Sequence, residues 1–285
     1  MYGSGFRILC LAGSVALMLL AVRTATAQAP EPTDAQTQED IENWQGLVQD
    51  IFGGRAMQDG TGIITIEMPA RAEDAAIVPV TLRATLPPGD ERRVHAVTLV
   101  IDRNPAPMAA RFEFGDAAGM SEVSTRVRVN SYTNVHAVAE LSDGKLYMTK
   151  TYVRASGGCS APAAKNPDEA RERLGKIRLR QFASAADGPA SKLREAEIMI
   201  GHPNNSGLQM DQITHLYVPA FFVDDVRVWQ DDKLIFAMNA GISIAEDPNI
   251  RFTYIPSGAK EIRVEAKDTD GHIYQGRWPV EPPGI

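Results

Sequence analysis

Cysteine is nearly absent. Cys10 and Cys159 are the two in 285 residues, and Cys10 falls inside an N-terminal export signal. Once that signal is removed, Cys159 is left with no internal disulfide partner. Histidine is also sparse. His95, His136, His202, His215 and His272 are scattered, with no close-spaced pair near Cys159, so each reads as a strand or turn residue and no metal site is expected. There is no Gly-x-Ser-x-Gly, no phosphate loop and no dinucleotide fingerprint, which removes the common hydrolase, nucleotide and cofactor signatures. The carboxylate pairs Asp224-Asp225 and Asp231-Asp232 read as solvated strand-end and turn residues. No Lys/Arg cluster with interleaved aromatics occurs, so nucleic acid is not an expected partner. Outside the N-terminus no apolar run approaches the roughly 18 residues that cross a bilayer.

The N-terminus shows what is present. Arg7 supplies a positive start, Ile8 to Val22 is mostly apolar, and Ala25-Thr26-Ala27 is a small-x-small cleavage site. Residues 1–27 therefore read as a cleavable signal peptide, and the expected location is the bacterial periplasm. Cleavage removes Arg7 and Arg23, leaving 27 basic residues against 36 acidic ones and a net charge of -9. That balance favours solubility. The remaining length suits two domains of about 100 to 130 residues each.

Residues 28–40 are polar and Pro-containing and read as a disordered lead-in. Trp44, Leu47, Val48 and Ile51 then recur at helical spacing until Gly53-Gly54. From residue 62 to 154 the period changes to two. Strands are expected at 63–67, 77–84, 95–101, 110–114, 123–129, 136–141 and 146–153, with turns at Pro87-Pro88-Gly89, Asn104-Pro105 and Ser142-Asp143-Gly144. Seven short strands without βαβ alternation indicate an immunoglobulin-like sandwich over 41–154. Residues 155–192 read as an arm and linker containing a helical piece, with a break at Asp187-Gly188-Pro189. Over 193–285 the period of two returns. Strands are expected at 197–201, 214–219, 222–229, 233–239, 249–254, 261–267 and 273–280, forming a second sandwich. The fold class expected is all-β, two immunoglobulin-like sandwiches in tandem with a short N-terminal helix and a helical linker. Phe221, Phe222, Trp229, Phe236 and Phe252 are core candidates, and some would fill an interface between the sandwiches.

The segment from Arg154 to Ala163 carries the chemistry. Gly157 and Gly158 free the backbone before Cys159, Ser160-Ala161 add little bulk, and Pro162 stiffens the exit. So little apolar surface predicts an exposed thiol on a flexible arm, able to carry a group on sulfur into another protein's cleft. A Cys/His/Asn protease needs a rigid nucleophile, which this arm does not offer. The residues alone leave two readings open: a covalent carrier, or an incidental free or intermolecularly paired cysteine.

The chain resembles a fused SoxY–SoxZ pair, and more narrowly the SoxYZ-like carriers associated with quinoprotein dehydrogenases. The SoxY-like features are Ile51-Phe52-Gly53-Gly54, the stretch from Pro69 to Val80, Asn104-Pro105-Ala106-Pro107, Thr125-Arg126-Val127-Arg128, Asp143-Gly144 and Gly157-Gly158-Cys159. The SoxZ-like ones are His202-Pro203, Gly207, Pro219-Ala220-Phe221, Gly241-Ile242-Ser243, Pro248 and Asp268-x-Asp270-Gly271. The resemblance implies that Cys159 holds sulfur intermediates covalently, that Gly157 and Gly158 give it reach, and that the two halves pair within the chain. It also implies a carrier rather than an enzyme, serving periplasmic sulfur-oxidising enzymes or a quinoprotein dehydrogenase system. The alternative is a non-covalent docking module for such a dehydrogenase. Ser160-Ala161 replace the two glycines that typically end SoxY, and the chain continues, so the arm is tethered at both ends.

Overall fold

Alternating apolar and polar residues, broken by turn residues, set nearly every strand of the molecule. A computed structural model describes residues 34–116, 118–119, 121–162, 167–182 and 193–281. The signal-peptide reading of 1–27, Cys10 and the Asp187-Gly188-Pro189 break lie outside those residues. The first half contributes α1 (Asp34–Phe52), β1 (Met57–Asp59), β2 (Ile64–Glu67), β3 (Val78–Ala84), β4 (Val94–Ile101), β5 (Met108–Phe114), β6 (Glu122–Val127), β7 (Thr133–Leu141) and β8 (Leu146–Val153). The second contributes α2 (Pro167–Arg173), β9 (Ile177–Phe182), β10 (Arg194–Ile200), β11 (Val223–Gln230), β12 (Lys233–Ala240), β13 (Asn249–Tyr254), β14 (Glu261–Asp268) and β15 (Ile273–Pro279).

The protein is all-β, two immunoglobulin-like halves in tandem, and the halves merge. One sheet runs β1-β8-β7-β4-β5-β12-β11-β14-β15 and the other β2-β3-β6-β13-β10-β9. Each therefore crosses the junction, through β5–β12 in the first and β6–β13 in the second. Two sandwiches set edge to edge this way bury the edges that isolated sheets would expose. One apolar core also runs through both halves, from Val80 and Leu99 to Ile198 and Val264. Phe112 and Phe236 meet near the seam at 6.2 Å between centroids, and Phe236 meets Phe252 at 5.1 Å.

That shared core makes a thermodynamic prediction. Phe236 is fully buried, and truncating such a side chain costs about 3–5 kcal/mol. Phe236→Ala should lower the urea midpoint while unfolding stays a single transition by fluorescence and far-ultraviolet dichroism. Two separate transitions would mean that the halves fold independently.

Three expectations need correction. The composition puts a disordered lead-in up to residue 40, but α1 starts at Asp34. Asp40 is paired with Arg103 at 2.9 Å, and Asn43 Nδ2 donates to the Asp102 carbonyl at 3.2 Å, so tertiary partners order a polar sequence. Further along α1, Trp44, Leu47, Ile51 and Phe52 pack on Val100, Val138 and Leu146 of the nine-stranded sheet. The region 155–192 includes β9, where Ile177 and Leu179 face the core and Arg178 and Arg180 face out; this strand completes the edge beside β10. Residues 214–219 form no strand. Asp211 Oδ1 accepts from the backbone N–H groups of Ile213 and Thr214, and His215 has φ +55°, so a side-chain-capped turn replaces it. The short β1, parallel to β8, was not foreseen.

Candidate functional site

The segment after β8 turns back and lies flat on the protein. Its start is held by hydrogen bonds from Arg154 N to the Ala70 carbonyl and from Ala72 N to the Arg154 carbonyl, both 3.0 Å. Gly157 N then donates to the Asn130 carbonyl at 2.8 Å and Gly158 N to that of Val129 at 3.1 Å. Ser160 N closes a turn onto the Gly157 carbonyl at 3.2 Å. Gly157 sits at φ +77°, where a side chain is strained. Gly158 has no room for one: a Cβ there would overlap the Ala75 carbonyl oxygen and fall 2.6 Å from that of Val129.

Cys159 is therefore completely buried, with a free thiol, against the expectation of an exposed one. Small side chains permit close packing as readily as motion, and here they let the segment seat flush. The floor of the dock, Val129, Asn130 and Ala75, belongs to the first half. Its roof belongs to the second: Ser206 Oγ donates to the Cys159 carbonyl at 2.5 Å. The thiol thus lies at the seam between the halves. Burial pushes its pKa up to about 11, and the neighbouring Arg128 charge only partly offsets this. A thiol held there is protonated and shielded, so nucleophilic chemistry requires the segment to leave.

Arg128 is the residue that the sequence reading did not single out. It is 1% exposed. Its Nη1 donates to the Gly158 carbonyl and its Nη2 to the Asn204 carbonyl, each at 3.3 Å, while its Nε has no partner. Burial lowers its pKa, opposed by the charges of Glu246, Cys159 and Asp74. Asn104 ties the same region together. Its Nδ2 donates to the Arg128 carbonyl at 2.7 Å and to Ser243 Oγ at 2.8 Å, and its Oδ1 accepts from Asn130 N. Asn104 and Arg128 both fall inside motifs that carried the family resemblance, which is the one signal that pointed to them.

His202 is buried, and its Nδ1 accepts from Asn204 N at 3.1 Å. Burial lowers its pKa, and Asp268 lies 3.6 Å from its Nε2. Its place is structural: it shapes the turn that brings Asn204 and Ser206 over the dock. His136 is buried with its Nδ1 2.8 Å from Asp102 Oδ1 and its ring stacked on Trp44 at 3.6 Å. Among the described residues no cluster of three or more potential metal ligands forms, and no helix is long and apolar enough to cross a membrane. Of the five aromatics considered for the interface, Phe236 and Phe252 join the shared core. Phe221 packs on His202, and Trp229 lies under the Arg263 guanidinium.

Two family models match in tandem. Residues 48–159 match "Sulfur oxidation protein SoxY", and residues 183–279 match "Sulphur oxidation protein SoxZ". The first match ends at the buried cysteine. No curated protein matches the chain. Among solved structures, the sulfur carrier protein SoxY from Chlorobium limicola f thiosulfatophilum is 25% identical, over 42% of this chain and 98% of that one, with a TM-score of 0.34. A superoxide reductase (neelaredoxin) from Ignicoccus hospitalis is 13% identical, over 32% of this chain and 79% of that one, with a TM-score of 0.29.

Proposed function

The chain belongs to the SoxY–SoxZ family, with both domains fused in one polypeptide, and we propose that it carries a sulfur-containing group covalently on Cys159 in sulfur oxidation. The observation that carries this reading is the position of the lone described thiol. It ends the SoxY match, on a segment held chiefly by four hydrogen bonds around Gly157, Gly158 and Cys159. The protein is a carrier and not itself an enzyme. Joining its thiol to a sulfur nucleophile forms a sulfur–sulfur bond and releases one proton and two electrons. Loading therefore needs a partner enzyme able to accept electrons. The partners are sulfur-oxidising enzymes of the periplasm, a location resting on the leader-like residues 1–27.

The carrier cycles between two states. Docked, Cys159 is protonated and shielded from adventitious oxidants; undocked, the thiol is solvated and its pKa returns to the ordinary range. A partner that binds the undocked segment draws the equilibrium toward it by mass action. Both ends of the segment stay tethered, so the cargo is presented on a loop.

The test is intact-protein mass spectrometry of the chain isolated from its native host, before and after reductant. A reducible increment on the Cys159 peptide, absent in Cys159→Ser, is the expected result. An increment that persists in Cys159→Ser overturns the assignment. One observation favours a second reading, a docking module for a periplasmic quinoprotein dehydrogenase with an incidental thiol: Cys159 is buried and its pKa is about 11. Under that reading Cys159→Ser keeps full physiological function and no increment is found under any growth condition.

A further inference from the structure

The outer face of the six-stranded sheet holds a second site, apart from Cys159 and independent of the carrier reading. A cavity of about 220 Å³ opens there, lined by Arg126 of β6, Arg173 of α2, Lys176, Arg178 of β9, Met199 and Asp247. Four cationic side chains thus face one carboxylate. Asp247 is already engaged: its Oδ2 lies 3.2 Å from Arg173 Nη2, its Oδ1 accepts from His202 N, and its carbonyl accepts from Arg126 Nη2 at 3.0 Å. Arg173 also lies 3.9 Å from Glu169. Lys176 and Arg178 form no ion pair among the described residues.

The walls are rigid by construction. Gly175 N donates to the Gly201 carbonyl at 2.8 Å, and Gly201 N to the Lys176 carbonyl at 2.9 Å. A Cβ on Gly201 would overlap the Arg173 carbonyl, so glycine lets the α2–β9 connection close over the sheet. Met199 stands across from Arg178 on one side and from Asn249 on the other, which fixes the floor. The Nε atoms of Arg126 and Arg173 are sealed within this wall, and Lys176 and Arg178 are its exposed cations. An exposed guanidinium fork matches an oxyanion in two-point contact, and an ammonium beside it adds a further donor and charge.

We propose that this cavity binds a small tetrahedral oxyanion, of the class that includes sulfate, thiosulfate and inorganic phosphate. The anion supplies the negative charge that Lys176 and Arg178 lack. Because the wall is built from β6 of the first half and from α2, β9 and Asp247 of the second, the bound anion braces the junction.

Isothermal titration of the full chain with sulfate, thiosulfate and phosphate, each at constant ionic strength set with chloride, tests the site. The Cys159→Ser background removes any covalent reaction and keeps this test separate from the carrier reading. One saturable site is expected. Its affinity should fall at least tenfold in a Lys176→Gln/Arg178→Gln variant and stay unchanged in Arg277→Gln, which removes a cation from the other sheet. Both altered side chains in the double variant are exposed, and an unchanged urea midpoint will show that the fold is kept. Preference for thiosulfate assigns the site to sulfur compounds, and equal binding of all three to oxyanions in general. Absence of saturable binding by any of them, or equal binding in the double variant, overturns the proposal.

Discussion

Native protein at pH 7.5 should react with iodoacetamide at Cys159 at least a hundredfold more slowly than the same protein in urea. Each of two effects slows the reaction, one for a thiolate formed in place and one for access. A pKa of about 11 instead of the ordinary 9.0 leaves about a hundredth of the usual thiolate, one factor of ten for each unit. Burial under Ser206 then removes the approach path altogether, so reaction proceeds through transient opening. The rate should rise about tenfold per pH unit from 7.5 to 8.5, whether the thiolate forms in place or after opening. Mass spectrometry of timed, quenched samples gives both rates. A native rate equal to the unfolded one would show that the segment is open in solution and that the dock is not its resting state.

Most of the fold was legible in residues. Leu146–Val153 and Asn249–Tyr254 came out with the expected bounds, and in the second a strict period of two over one buried face leaves little freedom of register. What stayed hidden was tertiary. The pairing of β5 with β12 and of β6 with β13 joins segments more than a hundred residues apart, and periodicity carries no sign of it. In β9 the arginines at 178 and 180 obscured a half-buried strand. In 214–219 a threonine and a leucine at alternate positions imitated one, although Asp211 caps a turn there. For the site, the type and place of Cys159 were legible and its environment was not. Glycines mark positions where the backbone does something that other residues cannot, and both swinging and tight docking qualify. Arg128 was legible only through the motif Thr125-Arg126-Val127-Arg128, since by residue type an arginine at the end of an expected strand reads as solvent-facing until another element covers it.

The distinction between swinging and docking has a direct mutational test in Gly158→Ala. An added methyl meets backbone carbonyls of Ala75 and Val129, not the ends of flexible side chains, so the neighbours cannot turn away. The segment must lift. Lifting breaks the bond from Gly158 N to Val129 and pulls the Gly158 carbonyl away from Arg128 Nη1. The open population, and with it the alkylation rate at pH 7.5, should rise at least a hundredfold. Gly157→Ala is the graded control. It faces open space, with Ser160 Oγ 3.9 Å away, and suffers only from its φ of +77°. That strain is worth about 1 kcal/mol, or roughly fivefold in rate. An unchanged urea midpoint and near-ultraviolet spectrum in both variants would show that the sandwich core is untouched, since none of the core clusters includes residues 156–158. If Gly158→Ala reacts no faster than wild type, the dock tolerates a side chain and the glycine is there for reach alone. If it reacts faster and loads cargo more readily in the host, release of the segment is the step that limits loading.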